Sequence, residues 1–139
     1  MALVIGNGDY VHESRLNNPV NDARLIARTL RGLGFSVDER FNLRQRDMVL
    51  AINRFVRESA GADTALLYFA GHGMQPVEGG RNFLLPVDAN IHHDDALDSD
   101  AVPLYRALMQ ALLPLAEGGG RIDATHLQAL RQVLESPET

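Results

Sequence analysis

A histidine between two glycines closes an apolar run in Tyr68-Phe69-Ala70-Gly71-His72-Gly73-Met74. A side chain at the carboxyl end of a buried strand sits where open α/β sheets place ligands and catalytic groups. Imidazole suits proton transfer at physiological pH, the small neighbours leave it accessible, and the backbone N–H of Gly73 could point at a developing oxyanion. The bland alternative is a hydrogen-bonded structural histidine, and the residues by themselves leave both readings open. A catalytic base also needs a nucleophile to serve. The chain contains no cysteine, which removes a thiolate nucleophile, a thiolate metal site and a disulfide framework together.

Two other constellations carry less. Gly6-Asn7-Gly8 after the opening apolar run suggests a dinucleotide turn, in which glycines let backbone approach a pyrophosphate at a helix N-terminus. The third glycine position is Val11, the next helix begins several residues too late, and no acidic residue ends the second strand as that motif requires. A turn that needs glycine backbone is the simpler reading. His92-His93-Asp94-Asp95 groups imidazoles with carboxylates, but adjacent residues of an extended segment point to opposite sides, so the two histidines would not easily share one metal. It reads as a solvated acidic loop, and no metal site is assigned.

The elements that must position His72 follow from periodicity. Ala2 to Gly6 is a continuous apolar run closed by glycine, as in a strand buried on both faces of a mostly parallel sheet. Asn18-Pro19 supplies a cap residue and a proline at the first helical position. From there Ala23, Ile26, Ala27, Leu30 and Leu33 recur at helical spacing until Gly34. Residues 35–39 alternate as a second, more exposed strand, and Met48, Ile52, Phe55 and Val56 mark a second helix. Thr64 to Ala70 is the third strand, leading into His72. Asn82 to Val87 is a further extended segment at an edge or corner, because Pro86 cannot donate to a ladder. A long acidic loop follows. A helical pattern runs from Tyr105 to Glu117, interrupted at Pro114, and Thr125 with Gln128 forms a capping box for a last amphipathic helix. No fourth apolar strand appears after Val87.

Composition narrows the classes. At 139 residues the chain is long enough for one domain that buries about two thirds of its unfolded surface without staples. The formal charge is -5, and all 13 basic residues are scattered arginines. That argues against nucleic acid and anionic membrane as partners. With no secretory leader pattern and no apolar run approaching the roughly 18 residues of a membrane span, a cytoplasmic location is expected.

The order ALVIGNGDY, LNNPVNDARLIARTLRGLGFSV, DTALLYFAGHGMQ, RNFLLPVDA and DAVPL resembles the large-subunit region of caspase-like cysteine peptidases of clan CD, in particular the bacterial metacaspase or orthocaspase group. The resemblance covers roughly residues 2 to 104, and several motifs in the right order make it far more specific than any one of them. It implies cleavage of peptide bonds, with His72 as the base of a Cys-His dyad and Gly73 as the oxyanion-hole donor. It implies a preference for basic P1 residues, with Asp9 lying where one acidic pocket group belongs. Calcium is required in some branches of the family and is implied here by that analogy alone, and no cofactor is assigned.

The departure from the family lies after Leu104, where a fourth apolar strand would end in the nucleophilic cysteine. Asp123-Ala124-Thr125 imitates that ending with threonine in place of cysteine. However, the preceding Gly-Gly-Gly-Arg-Ile is not a buried strand, and an unactivated hydroxyl lacks the nucleophilicity of a thiolate. Capping a helix is the simpler role for Thr125.

The expected fold is therefore α/β: a three-layer caspase-like sandwich with a mostly parallel sheet that lacks the nucleophile-bearing strand. Residues 1–104 are its large-subunit region, and residues 105–139 are a divergent helical segment packed on or beside it. Two functions are compatible with this pattern. One is an inactive part of a cysteine endopeptidase domain that lost its nucleophile region by truncation or frameshift. The other is a noncatalytic module that binds peptides or a protein partner through the former cleft. The missing strand should also leave a sheet edge open to pairing with a second copy.

Overall fold

The computed structural model describes residues 1–74, 82–91 and 101–103. Three parallel strands, β1 (Ala2–Gly6), β2 (Val37–Phe41) and β3 (Leu66–Ala70), form a sheet in the order β2-β1-β3. Ala2 is registered with both Val37 and Leu66, and Gly6 with both Phe41 and Ala70, so the three strands end level. Two 14-residue helices make the crossovers, α1 (Pro19–Gly32) and α2 (Gln45–Glu58).

Strand alternation sorts the core into two layers. Ala2, Val4, Leu66 and Tyr68 face α1, where Ala23, Ala27 and Leu30 meet them. Leu3, Ile5, Leu67 and Phe69 face α2, where Met48, Ala51, Ile52 and Phe55 meet them. β1 is buried along its whole length because both faces are covered, as its unbroken apolar run predicts. This is the expected mixed α/β sandwich with a parallel sheet.

The second strand begins two residues later than its alternation suggests. Gly34 adopts φ +94°, and the N–H groups of Gly34 and Phe35 donate to the carbonyls of Arg31 and Leu30. These are the paired bonds of a Schellman motif, and Phe35 and Leu30 share a cluster as its apolar contact. Phe35 therefore belongs to the helix terminus, and pairing with β1 starts at Val37. Asn18 precedes α1 as expected, but its side chain makes no capping bond. Its carbonyl accepts from Asp22 N–H instead. At α2 the cap is long-range, because the Asp88 carboxylate accepts from Gln45 N–H at 2.9 Å.

The Asn82–Val87 segment does not extend the parallel sheet. Phe83–Leu84 forms β5, the middle strand of a small antiparallel sheet between β4 (Gly73–Met74) and β6 (Val102–Pro103). β6 lies where the sequence suggested only loop. The small sheet packs over the α2 side through Leu84 and Val102. It also builds a third cluster of Tyr10, Phe83, Leu85, Ala89 and Ala101 beyond the ends of β1 and β3. No described helix is long and apolar enough to cross a membrane. His92 to Asp95, Thr125 and the expected C-terminal helices lie outside the described residues.

Candidate active site

All three parallel strands point their carboxyl ends toward one rim, and the loops that leave them build the site. After β1 the chain turns at Asn7, whose side chain is fully buried and fully used. Its Oδ1 accepts from Leu43 N–H at 2.9 Å, and its Nδ2 donates to the Leu85 carbonyl at 3.3 Å and approaches Met48 Sδ at 3.4 Å. Asn7 thereby ties β1 to the segment after β2 and to the small sheet. A buried amide with every group paired stabilises the junction, whereas the same amide unpaired would cost about 1–3 kcal/mol.

The loop from Gly8 onward is shaped by Asn42, which sits just past β2 at φ +52°. Its Oδ1 accepts from the N–H groups of Gly8 and Asp9 at 2.9 and 3.1 Å, and its Nδ2 donates to Asp9 Oδ2 at 3.3 Å. Asp9 is exposed on the rim with its carboxylate oriented by that amide. Farther along, Val11 N–H donates to the Val87 carbonyl, so the loop lies across the small sheet.

His72 follows β3 by two residues and is half-buried. Its Nε2 lies 2.7 Å from the Ser14 carbonyl oxygen. A carbonyl can only accept, so Nε2 carries the proton and Nδ1 is the basic nitrogen of the neutral ring. The ring also contacts Tyr10, with centroids 4.5 Å apart and planes tilted by 59°. Its backbone is held on both sides, since His72 N–H donates to Tyr10 Oη at 2.8 Å and its carbonyl accepts from Leu85 N–H at 3.0 Å.

The two flanking glycines have different reasons to be glycine. A Cβ on Gly71 would lie 2.7 Å from Tyr10 Oη, 2.8 Å from Phe69 Cζ and 3.1 Å from the Asn7 carbonyl oxygen, so close packing excludes it. A Cβ on Gly73 would meet only the Phe83 carbonyl oxygen, at 3.6 Å. Gly73 pairs with Leu84, and the Leu85-to-His72 bond makes that pair the non-hydrogen-bonded one of the ladder. The Gly73 N–H therefore faces away from β5, at an exposed position beside His72.

The structure thus brings His72 and Gly73 together, with Asp9 on the loop that also supplies Tyr10 and Ser14. No motif or spacing in the sequence singles out Tyr10, Ser14 or Asn42. Tyr10 offered one signal, a lone aromatic in a stretch otherwise rich in Gly, Asn, Asp and Ser. Ser14 acts through its backbone and leaves no trace in residue type. Among the described residues no group of three or more His, Asp or Glu side chains could hold a metal ion.

A family model described as the Caspase domain matches residues 1–112. Mucosa-associated lymphoid tissue lymphoma translocation protein 1 of Homo sapiens and its Mus musculus homolog are each 35% identical to this chain over 89 residues. The match covers 64% of this chain but only 11% of the human protein and 10% of the mouse one, so the chain spans a small part of the curated relatives it matches. Among solved structures, protein GSU0716 from Geobacter sulfurreducens aligns with a TM-score of 0.59 at 20% identity, over 79% of this chain and 44% of that one. At that identity the likeness speaks for the fold alone.

Proposed function

This chain belongs to the caspase domain family, and from that premise we propose that it carries the base and the oxyanion donor of a caspase-type cysteine peptidase without the nucleophile. The observation that supports this most is His72. It is held at the strand end by Ser14, with the basic nitrogen of its ring set by that bond, in a sequence that has no cysteine.

In peptide-bond hydrolysis of this class, a thiolate sulfur bonds to the carbonyl carbon and the carbonyl electron pair moves onto oxygen. The protonated histidine then gives its proton to the departing amine as the C–N bond breaks. The residues of this chain suit the second and third of these tasks. Gly73 N–H faces outward where an oxyanion would form, and preorganised donors of this kind contribute about 2.7–4 kcal/mol in enzymes that have them. His72 Nδ1 would take the thiol proton and pass it to the departing amine, while Ser14 keeps Nε2–H in place. With no thiol to attack, the chain of this sequence is inert as a peptidase.

A second reading has its own support. Asp9 and Gly73 are both exposed on the rim, and both are positioned by a network that would hold without any chemistry. We infer a retained peptide-binding cleft that takes a basic side chain at Asp9, the preference of metacaspase-like members of the family. A peptide or protein segment is the partner class, and among the described residues β3 closes one side of the parallel sheet, an edge with which a second copy of the chain would pair.

Titration of the isotope-labelled chain with an arginine-containing peptide, followed by amide shifts, tests both readings at once. Saturable shifts at Gly73 and Asp9, weakened by Asp9→Asn, with the peptide unchanged in mass, are expected. Absence of shifts at these residues contradicts the cleft, and a cleaved peptide contradicts the missing nucleophile.

A further inference from the structure

We propose that Tyr10 is a positioning residue for His72, its hydroxyl standing in for one hydrogen bond of the ladder that joins the end of β3 to β5. Gly73 and Leu84 form a non-hydrogen-bonded pair, so the next pair outward, His72 and Leu85, should exchange two direct bonds. One is present, from Leu85 N–H to the His72 carbonyl at 3.0 Å. In place of the other, His72 N–H donates to Tyr10 Oη at 2.8 Å, and Tyr10 Oη donates to the Leu85 carbonyl at 2.9 Å.

A hydroxyl can do this because it is donor and acceptor together, so it enters an N–H to carbonyl bond and orphans neither group. The insertion is tightly built. Tyr10 is 2% exposed and packed with Phe83 and Leu85. Gly71 keeps open the space that Oη fills, since a Cβ there would lie 2.7 Å from that oxygen.

The separation between His72 and Leu85 is therefore set by a phenol oxygen rather than by direct strand pairing, and the Tyr10 ring also flanks the imidazole it positions. Removing only the oxygen would let the ladder close or admit a water. Either change shifts the backbone of His72 while the apolar packing of the ring is kept. The functional value of this placement rests on His72 being the base proposed above, but the placement itself can be tested without any peptidase chemistry.

In the unmodified chain, the Tyr10 hydroxyl proton should exchange slowly and show a nuclear Overhauser effect to the His72 amide proton. In Tyr10→Phe, carbethoxylation of His72 should become several-fold faster relative to exposed His12 in the same molecule. In Leu30→Ala, which weakens the core on the opposite face of the sheet, that ratio should stay as it was. A missing Overhauser effect overturns the inference even if Tyr10→Phe fails to fold. So does an unmoved ratio in Tyr10→Phe, or an equal rise in Leu30→Ala, which would mark a merely structural role. None of these readouts involves peptide binding or cleavage, so they separate this inference from the reading it builds on.

Discussion

The Nε2 atom of His72 lies 2.7 Å from the carbonyl oxygen of Ser14, a contact between residues 58 positions apart in the chain. It fixes the ring's orientation and its tautomer in one step, because the partner can only accept a hydrogen bond. The ring of His72, the base in the proposed site, is thus oriented by the loop after β1, not by its own strand. Mutational effects at the site should follow that loop as much as His72 itself.

The glycines beside His72 should respond differently to the same substitution. Gly71→Ala drives a methyl into Tyr10, Phe69 and the Asn7 backbone, and overpacking of this kind costs about 1–3 kcal/mol. Gly73→Ala meets only one carbonyl oxygen at ordinary contact distance, so its stability should change by no more than about 0.5 kcal/mol. Urea unfolding of the two variants beside the parent chain measures the contrast.

Asn7 should behave as a structural anchor. Asn7→Ala leaves the Leu43 N–H without its side-chain acceptor and takes a donor from the Leu85 carbonyl. A loss of about 1–3 kcal/mol is expected from the unsatisfied groups. Asn7→Asp keeps an acceptor for Leu43 but faces a carboxylate oxygen toward the Leu85 carbonyl, so it should be the less stable of the two at neutral pH. Unfolding midpoints of both variants decide the order.

Much of this architecture was legible in the sequence, and the misses share a cause. β1 announced itself as an unbroken apolar run and both helices by a single period, and His72 stood out because an apolar run delivers it to a glycine loop, although β3 proves half-buried except at Phe69. Phe35 falls within the alternating run of residues 35–39 although it closes α1, because alternation cannot distinguish a strand residue from the apolar contact that ends a helix. Asn82–Val87 reads as extended, but its place in a separate antiparallel sheet leaves no sequence pattern, since its partners at Gly73–Met74 and Val102–Pro103 are too short to show one. Ser14, Asn42 and Asp88 act through contacts more than 30 residues away in sequence. Residue type alone records nothing of such contacts.

Tyr68 should give stability a dependence on alkaline pH. It packs on the α1 face of the sheet, and burial raises its phenol above the ordinary value of 10.0, with the charge of Asp22 adding to the effect. The folded state therefore holds this proton more tightly than the unfolded chain. Its stabilising share is complete below the ordinary value and is lost as pH rises through the raised one. Unfolding midpoints measured on either side of pH 10 should fall more steeply for the parent chain than for Tyr68→Phe. Equal slopes would mean that Tyr68 titrates alike in both states.

Self-association should run through β3. That strand closes one side of the parallel sheet among the described residues, and an unpaired edge invites another strand. Light scattering coupled to size exclusion should show dimer growing with concentration, and Leu67→Pro should reduce it by removing a ladder donor. A monomer over a wide concentration range contradicts this.

The most direct test of the central claim, a caspase-type base without its nucleophile, is hydrolysis of fluorogenic peptides with arginine or lysine at P1, run side by side on the parent chain and His72→Ala. The account predicts that both stay at the level of the buffer blank. Saturable turnover by the parent chain that disappears in His72→Ala would show that some other group in this sequence attacks the peptide bond, and would contradict the account.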